Sequence, residues 1–277
     1  MTLASPEFRR EFFVMTSPTT EKLSILVVDD DEMNRRMMRL ILTREDHHVE
    51  LASDGFEACT LAEQKRFDII LMDLQMPEMN GVETSRRIRA LDGGSKKSYI
   101  VALTASYLPE KGSELFDAGI DNYIAKPFDM EHLRQILNYG IDHHKNDPVY
   151  EPEEPITVNQ DDVLVFDPSD GLKQVGGDEE VFRELLSDFV RELPQRVAAM
   201  KKQLDVKDMD GLSRSAHGLK GVSSNLGALQ LSQHAGRLEN RASEGYTESI
   251  ITEMKAIQAL ADEFIHNASN FLGAGNE

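Results

Sequence analysis

Asp29, Asp30, Asp73, Thr104 and Lys126 lie far apart along the chain, yet each closes or follows a short apolar run. The runs are Ile25-Leu26-Val27-Val28, Ile69-Ile70-Leu71-Met72, Ile100-Val101-Ala102-Leu103 and Tyr123-Ile124-Ala125. Such runs read as parallel strands buried on both faces, and the carboxyl ends of those strands are where an open α/β sheet builds its site. Consecutive carboxylates at a strand end repel one another unless a cation sits among them. Mg²⁺ resolves that repulsion with oxygen ligands while keeping positions for phosphate oxygens. An attacking carboxylate at Asp73, a hydroxyl donor at Thr104 and an ammonium at Lys126 then form the parts of a phosphoryl-transfer site, where catalysis is mostly positioning and charge stabilisation. Taken singly, Asp29, Asp30 or Asp31 would be a helix cap or a solvated turn acid, Thr104 a capping residue and Lys126 a surface residue. Their recurrence at separate strand ends favours function.

A second candidate is His217, in Ser213-Arg214-Ser215-Ala216-His217-Gly218-Leu219-Lys220-Gly221-Val222-Ser223-Ser224. Helical spacing puts Leu212, Ala216, Leu219 and Val222 on one side and His217, Ser213, Lys220, Gly221 and Ser224 on another. That places the imidazole in water, where its neutral form is a competent nucleophile. Gly218 and Gly221 each lower helix stability by about 1 kcal/mol relative to Ala; clearance for another domain's pocket would account for them. Lys220, one turn along, can pair with phosphoryl oxygens; Ser224 and Asn225 are candidates for holding the second ring nitrogen's proton, a choice the sequence leaves open. The other histidines, His47, His48, His132, His143, His144, His234 and His266, read as ordinary surface.

The elements that must position these groups fall into two sets. From Leu23 onward, strand signals at Ser24 to Val28, Val49 to Ala52, Asp68 to Met72, Tyr99 to Leu103 and Asn122 to Ala125 alternate with helical patterns. This alternation predicts a doubly wound, five-stranded parallel sheet with helices on both faces. Beyond a stretch holding Pro148, Pro152, Pro155 and many acids, apolar residues recur at helical spacing over Asp178–Val206, Asp208–Ser224, Ala228–Arg241 and Thr247–Phe271. Short connections between them predict an up-and-down four-helix bundle, preceded by a short helix near Ser169–Val175. Pro194 is expected to kink or restart the first long helix. The predicted organisation is an N-terminal extension (1–22), an α/β domain (23–145), an acidic Pro-containing linker (146–165), an all-α domain (166–272) and a tail (273–277).

The bulk properties favour a soluble chain with protein partners. Its 277 residues suffice for two domains, and a formal charge of −19 argues against a nucleic-acid partner. One cysteine, Cys59, fits a reducing compartment. With no apolar stretch of membrane-spanning length and no secretory pattern at the N-terminus, a cytoplasmic location and no membrane partner are expected.

Leu26-Val27-Val28-Asp29-Asp30, Leu71-Met72-Asp73-Leu74-Gln75-Met76-Pro77, Ala102-Leu103-Thr104-Ala105 and Tyr123-Ile124-Ala125-Lys126-Pro127-Phe128 together closely resemble the receiver domain of two-component response regulators, over about residues 23–143. The resemblance implies a flavodoxin-like strand order 2-1-3-4-5. It implies that Asp73 accepts a phosphoryl group, that Asp30, Asp73 and the Gln75 carbonyl ligate Mg²⁺ directly, and that Asp29 acts through water. Thr104 and Tyr123 would be the switch pair that signals occupancy. Gln75 and Ser106 occupy places that govern hydrolytic water; neither is acidic or bulky, so measurable but slow self-dephosphorylation is expected.

Ala216-His217-Gly218-Leu219-Lys220-Gly221, followed by Ser224-Asn225-Leu226-Gly227-Ala228, is similar to the histidine phosphotransfer (Hpt) domain, over about residues 166–272. It departs at Gly218, where a larger residue is commoner. Gly176-Gly177-Asp178-Glu179-Glu180 superficially resembles a diguanylate cyclase signature, but here it opens a helix, with Asp178 able to cap it. No Gly-rich nucleotide loop is present, so neither ATP-dependent kinase nor cyclase activity is expected.

The resemblances imply a phosphorelay intermediate: a histidine kinase donates to Asp73, and His217 exchanges phosphoryl with its own or a downstream receiver. The alternatives are a phosphorylation-switched scaffold or sequestering module, and the tail of a hybrid kinase. If the two domains meet within the chain, Met33 and Met37 of the first helix offer an adaptable apolar contact to the helix bearing His217.

Overall fold

The computed structural model describes residues 22–104, 112–126, 130–142, 164–245 and 247–274. Nearly all of the expected N-terminal extension and of the linker, and Ser106 and Pro127, lie outside these residues.

Strands β1 (Ser24–Val28), β2 (His48–Ala52), β3 (Ile69–Asp73), β4 (Tyr99–Thr104) and β5 (Asn122–Ala125) form one five-stranded parallel sheet in the order β2-β1-β3-β4-β5. β3 and β4 are buried at every position, as their unbroken apolar runs require. Register pairs Val28 with Met72, Asp73 with Leu103 and Thr104 with Ala125. Asp29, Asp73, Thr104 and Lys126 therefore reach the same edge of the sheet.

The pleat sorts the strand residues between two layers. Ile25, Val27, Ile69 and Leu71 meet Met38 and Ile41 of α1 (Glu32–Arg44) and Leu133 and Ile136 of α5 (Met130–Asp142). Leu26, Val28, Ile70 and Met72 meet Ala58 and Ala62 of α2 (Gly55–Gln64), Ile88 of α3 (Gly81–Arg89) and Leu115 of α4 (Gly112–Asp117). Side chains of Asp31, Asp54 and Asn80 cap α1, α2 and α3 by accepting first-turn N–H bonds.

The C-terminal region is helical: a short α6 (Pro168–Gln174) precedes α7 (Glu179–Asp205), α8 (Met209–Asn225), α9 (Leu229–Glu244) and α10 (Thr247–Gly273). α7 packs on α8, α8 on α9, α9 on α10 and α10 back on α7, which closes an up-and-down bundle. Phe189 and Phe264 meet edge-on with ring centroids 5.5 Å apart, and Phe166 meets Phe264 at 5.3 Å. Asp178 caps α7, as a helix start requires, so the Gly-Gly-Asp-Glu-Glu run has no hairpin.

Of the two outcomes expected at Pro194, a kink or a restart, the restart is excluded. α7 runs through Pro194 without restarting. A proline removes a single ladder hydrogen bond, and the buried face Phe189, Leu193, Val197 and Met200 holds both halves of the helix on the same core.

The two domains touch. α1 lies against α7 and α8, and Met33, Asn34 and Met37 share a small gap with Leu185, Val222 and Leu226. Around this apolar centre, Arg36 pairs with Glu184 at 2.9 Å and with Asp188, while Arg44 reaches Asp178 at 3.0 Å and Glu180 at 2.8 Å. Among the described residues, no helix is long and apolar enough to cross a membrane.

Candidate functional site

Asp73 is the last residue of β3. Its Oδ1 accepts the Gln75 N–H at 2.9 Å, and its Oδ2 lies 2.6 Å from Lys126 Nζ. Lys126 also reaches Asp29 Oδ2 at 2.9 Å, so one ammonium bridges two strand ends. Asp29 Oδ1 is taken by the Asp31 N–H at 2.9 Å and by Asn34 Nδ2 at 3.3 Å. One carboxylate oxygen from each of Asp29, Asp30 and Asp73 falls within 4.8 Å of the others, a set of hard oxygen donors that could hold a metal ion. The Lys126 N–H donates to the Thr104 carbonyl at 2.6 Å, which ties the β4 and β5 ends together, and Thr104 and Tyr123 are both buried.

The electrostatics are those of a crowded acidic pocket. Burial pushes Asp30 up, with the charges of Asp29 and Asp73 adding to it, to a pKa of about 6. Asp29 is also raised by burial, which Lys126 only partly offsets. At Asp73 burial pushes the same way, but the Lys126 charge and hydrogen bond and the Gln75 N–H outweigh it, so Asp73 stays ionised. Lys126 is opposed by burial and held charged by Asp29 and Asp73.

His217 sits on α8 with Nδ1 2.8 Å from Glu239 Oε1 of α9. Glu239 Oε2 lies 3.4 Å from Lys220 Nζ, so one carboxylate holds both groups. An imidazole whose Nδ1–H is committed to a carboxylate keeps its lone pair on Nε2. Burial alone would lower the His217 pKa, but the Glu239 hydrogen bond and charge, with a contribution from Asp73, raise it overall. Asp30 in turn feels the charge of His217. The imidazole and the acidic pocket are thus within each other's field across the domain contact.

Three sequence expectations change. His217 is not surrounded by water: its side chain is 15% exposed, because the α/β domain covers that side of α8. Ser224 and Asn225 are buried, and Glu239, which the sequence reading did not select, holds Nδ1. Two other histidines do more than sit on the surface. His234 Nδ1 lies 2.6 Å from the buried Glu253, and His47 Nδ1 accepts the Leu23 N–H at 3.4 Å.

Between the domains a cleft of about 470 Å³ leads to Asp30, lined by Asp54 and Glu78 on one side and Arg196, Arg214 and Gly218 on the other. The response regulator receiver domain model matches residues 25–138, and the Hpt domain model matches residues 184–265. The chain is a receiver–Hpt fusion.

The fusion is 28% identical over 262 residues to the signal transduction histidine-protein kinase BarA of Escherichia coli K12, covering 94% of this chain and 28% of that protein. It is 29% identical over 229 residues to the sensor histidine kinase AruS of Pseudomonas aeruginosa, covering 79% of this chain and 21% of that protein. The fusion thus spans less than a third of the length of these kinases. Among solved structures, the receiver domain of a sensor histidine kinase from Pseudomonas aeruginosa PAO1 is 34% identical, with a TM-score of 0.41, over 44% of this chain and all of that one. That structure is described with a magnesium ion coordinated in its active-site cleft.

Proposed function

We propose that the receiver–Hpt fusion is a phosphorelay intermediate in which Asp73 is the acceptor on the receiver and His217 the acceptor on the Hpt domain. The observation that carries this is the juxtaposition of the two: His217 lies in the field of Asp73 and Lys126, with Glu239 holding its far nitrogen. In the forward step the neutral Nε2 of His217 attacks phosphorus, the P–O bond to Asp73 breaks, and the carboxylate leaves as an anion stabilised by Lys126. Glu239 keeps the Nδ1 proton and balances the charge that develops on the ring. Thr104 donates its hydroxyl to a phosphoryl oxygen, Tyr123 follows it as the switch, and Lys220, which shares Glu239 with His217, is the cation offered to the product on the Hpt side. Asp29, Asp30, Asp73 and the Gln75 carbonyl would hold Mg²⁺, which supplies charge neutralisation at the phosphoryl oxygens. A histidine kinase as donor and a further receiver as acceptor complete the route, and the energy-rich acyl phosphate and phosphoramidate linkages make it reversible.

The test is to incubate the whole chain with Mg²⁺ and a small acyl phosphate, then separate base-labile label on Asp73 from base-stable label on His217. Label on both residues is expected, with none on His217 in Asp73→Asn and with Asp73 still labelled in His217→Gln. Label confined to Asp73 would replace the relay by a phosphorylation-switched scaffold.

A further inference from the structure

Gly218 stands beside His217, at a place where a side chain would favour the helix. A Cβ built there would come 2.6 Å from Asp31 Oδ2, and its three nearest atoms all belong to Asp31 of the receiver. At Gly221 the nearest are the Asn34 amide atoms, at 3.4 and 3.7 Å. What excludes a side chain at position 218 is therefore the other domain, not the Hpt bundle.

Asp31 has no freedom to move aside. Its Oδ1 accepts the N–H bonds of Met33 at 2.9 Å and Asn34 at 3.3 Å, capping α1. From α7 of the Hpt domain, Arg196 Nη1 reaches Oδ2 at 2.5 Å and Nη2 reaches Oδ1 at 3.2 Å. The pair is largely shielded, with side-chain exposures of 22% and 11%, so salt screens it less than the outlying Arg44 pairs. Ser, Thr or Asn would cap α1 as well as Asp, but none supplies the negative charge that a guanidinium fork recognises.

We propose that Arg196 and Gly218 form a recognition lock by which this Hpt domain selects a receiver carrying a carboxylate at the α1 cap, as its own receiver does with Asp31. Arg196 supplies the attraction and Gly218 the space, and together they fix how far the receiver's acidic end slides along α8 toward His217. Both are positioning residues, since neither touches the reacting atoms. The inference rests on the relay reading, and the experiment below keeps the two apart.

In the whole chain, Gly218→Ala and Arg196→Glu are compared with wild type and with Arg196→Lys. Labelling of Asp73 by a small acyl phosphate should be unchanged. Appearance of label on His217 should slow by about tenfold or more in Gly218→Ala and Arg196→Glu, with Arg196→Lys in between. Gly218→Ala should at the same time raise the thermal midpoint, because Ala favours a helix that has room for it in its own domain; a variant that was slow merely through damage would not become more stable. Amide hydrogen exchange in α1 reads docking independently of chemistry, and it should quicken in both slow variants. Transfer and exchange both within about twofold of wild type would overturn the lock. Absence of His217 label in wild type would overturn the relay reading instead, leaving the exchange comparison to decide the lock.

Discussion

Replacing Asp30 by Asn should make the cation-free protein more stable while abolishing its response to Mg²⁺. Asp30 is raised from its ordinary 3.8 to about 6, chiefly by burial and then by Asp29 and Asp73. The folded-state value lies above the unfolded one, so the penalty for ionising Asp30 is absent at acid pH, grows as pH rises from the unfolded value, and is complete above about 6. Each tenfold in proton affinity is about 1.4 kcal/mol. The difference therefore amounts to about 3 kcal/mol, which partial solvent exposure trims to about 2. Asn removes the charge and should return that amount at neutral pH, raising the receiver's thermal midpoint by roughly 5–10 °C, with no gain at acid pH. In wild type, Mg²⁺ should offset the same repulsion and raise the midpoint with concentration; in Asp30→Asn the dependence should largely vanish. Differential scanning calorimetry across pH, with and without Mg²⁺, measures all four conditions. A variant no more stable than wild type at neutral pH, or one that Mg²⁺ stabilises equally, would refute the idea that Asp30 is held charged for a cation.

Glu239→Gln should lower the His217 pKa, observable by NMR titration of the ring, and shift the pH dependence of transfer toward acid. Because the His217 pKa is raised and the Glu239 pKa lowered in the fold, the stabilisation from the pair is present at mildly acid pH, where Glu239 is ionised and His217 protonated, and is lost as pH rises through the folded-state value of His217 or falls through that of Glu239; the variant should therefore be destabilised at mildly acid pH and less changed at alkaline pH. Lys126→Met leaves Asp29 and Asp73 as buried carboxylates without their shared partner, and should destabilise the receiver by about 3–5 kcal/mol in urea unfolding while eliminating Asp73 labelling. Phe189→Ala removes a fully buried ring from the bundle core; chemical denaturation should show a loss of about 3–5 kcal/mol, with Asp73 labelling retained.

The strand-end acids were legible because burying a strand on both faces demands an unbroken apolar run, so the polar residue that ends each run marks a sheet edge. Glu239 was not legible from any local pattern, since the hairpin of α8 and α9 brings it to His217 from 22 positions away. A topological signal was nevertheless available: 213 with 243, 217 with 239 and 220 with 236 are in contact, and each pair straddles Ala228 symmetrically. Arg196 carried no such signal, because it meets Asp31 across 165 positions and a domain boundary. The exposure of His217 was misread because helical periodicity reports which face turns from its own bundle, not what covers that face.

By itself the sequence determined the kinds of elements, the acids and the lysine at the sheet edge, and the histidine on its helix. These follow from apolar periodicity and local chemistry, which act over a turn or a strand. Only the tertiary structure decided that the receiver sits on the Hpt domain, that Glu239 orients the imidazole, and that Gly218 is space for Asp31. Such contacts arise from packing between distant segments, where the position of one side chain depends on the whole chain having folded around it.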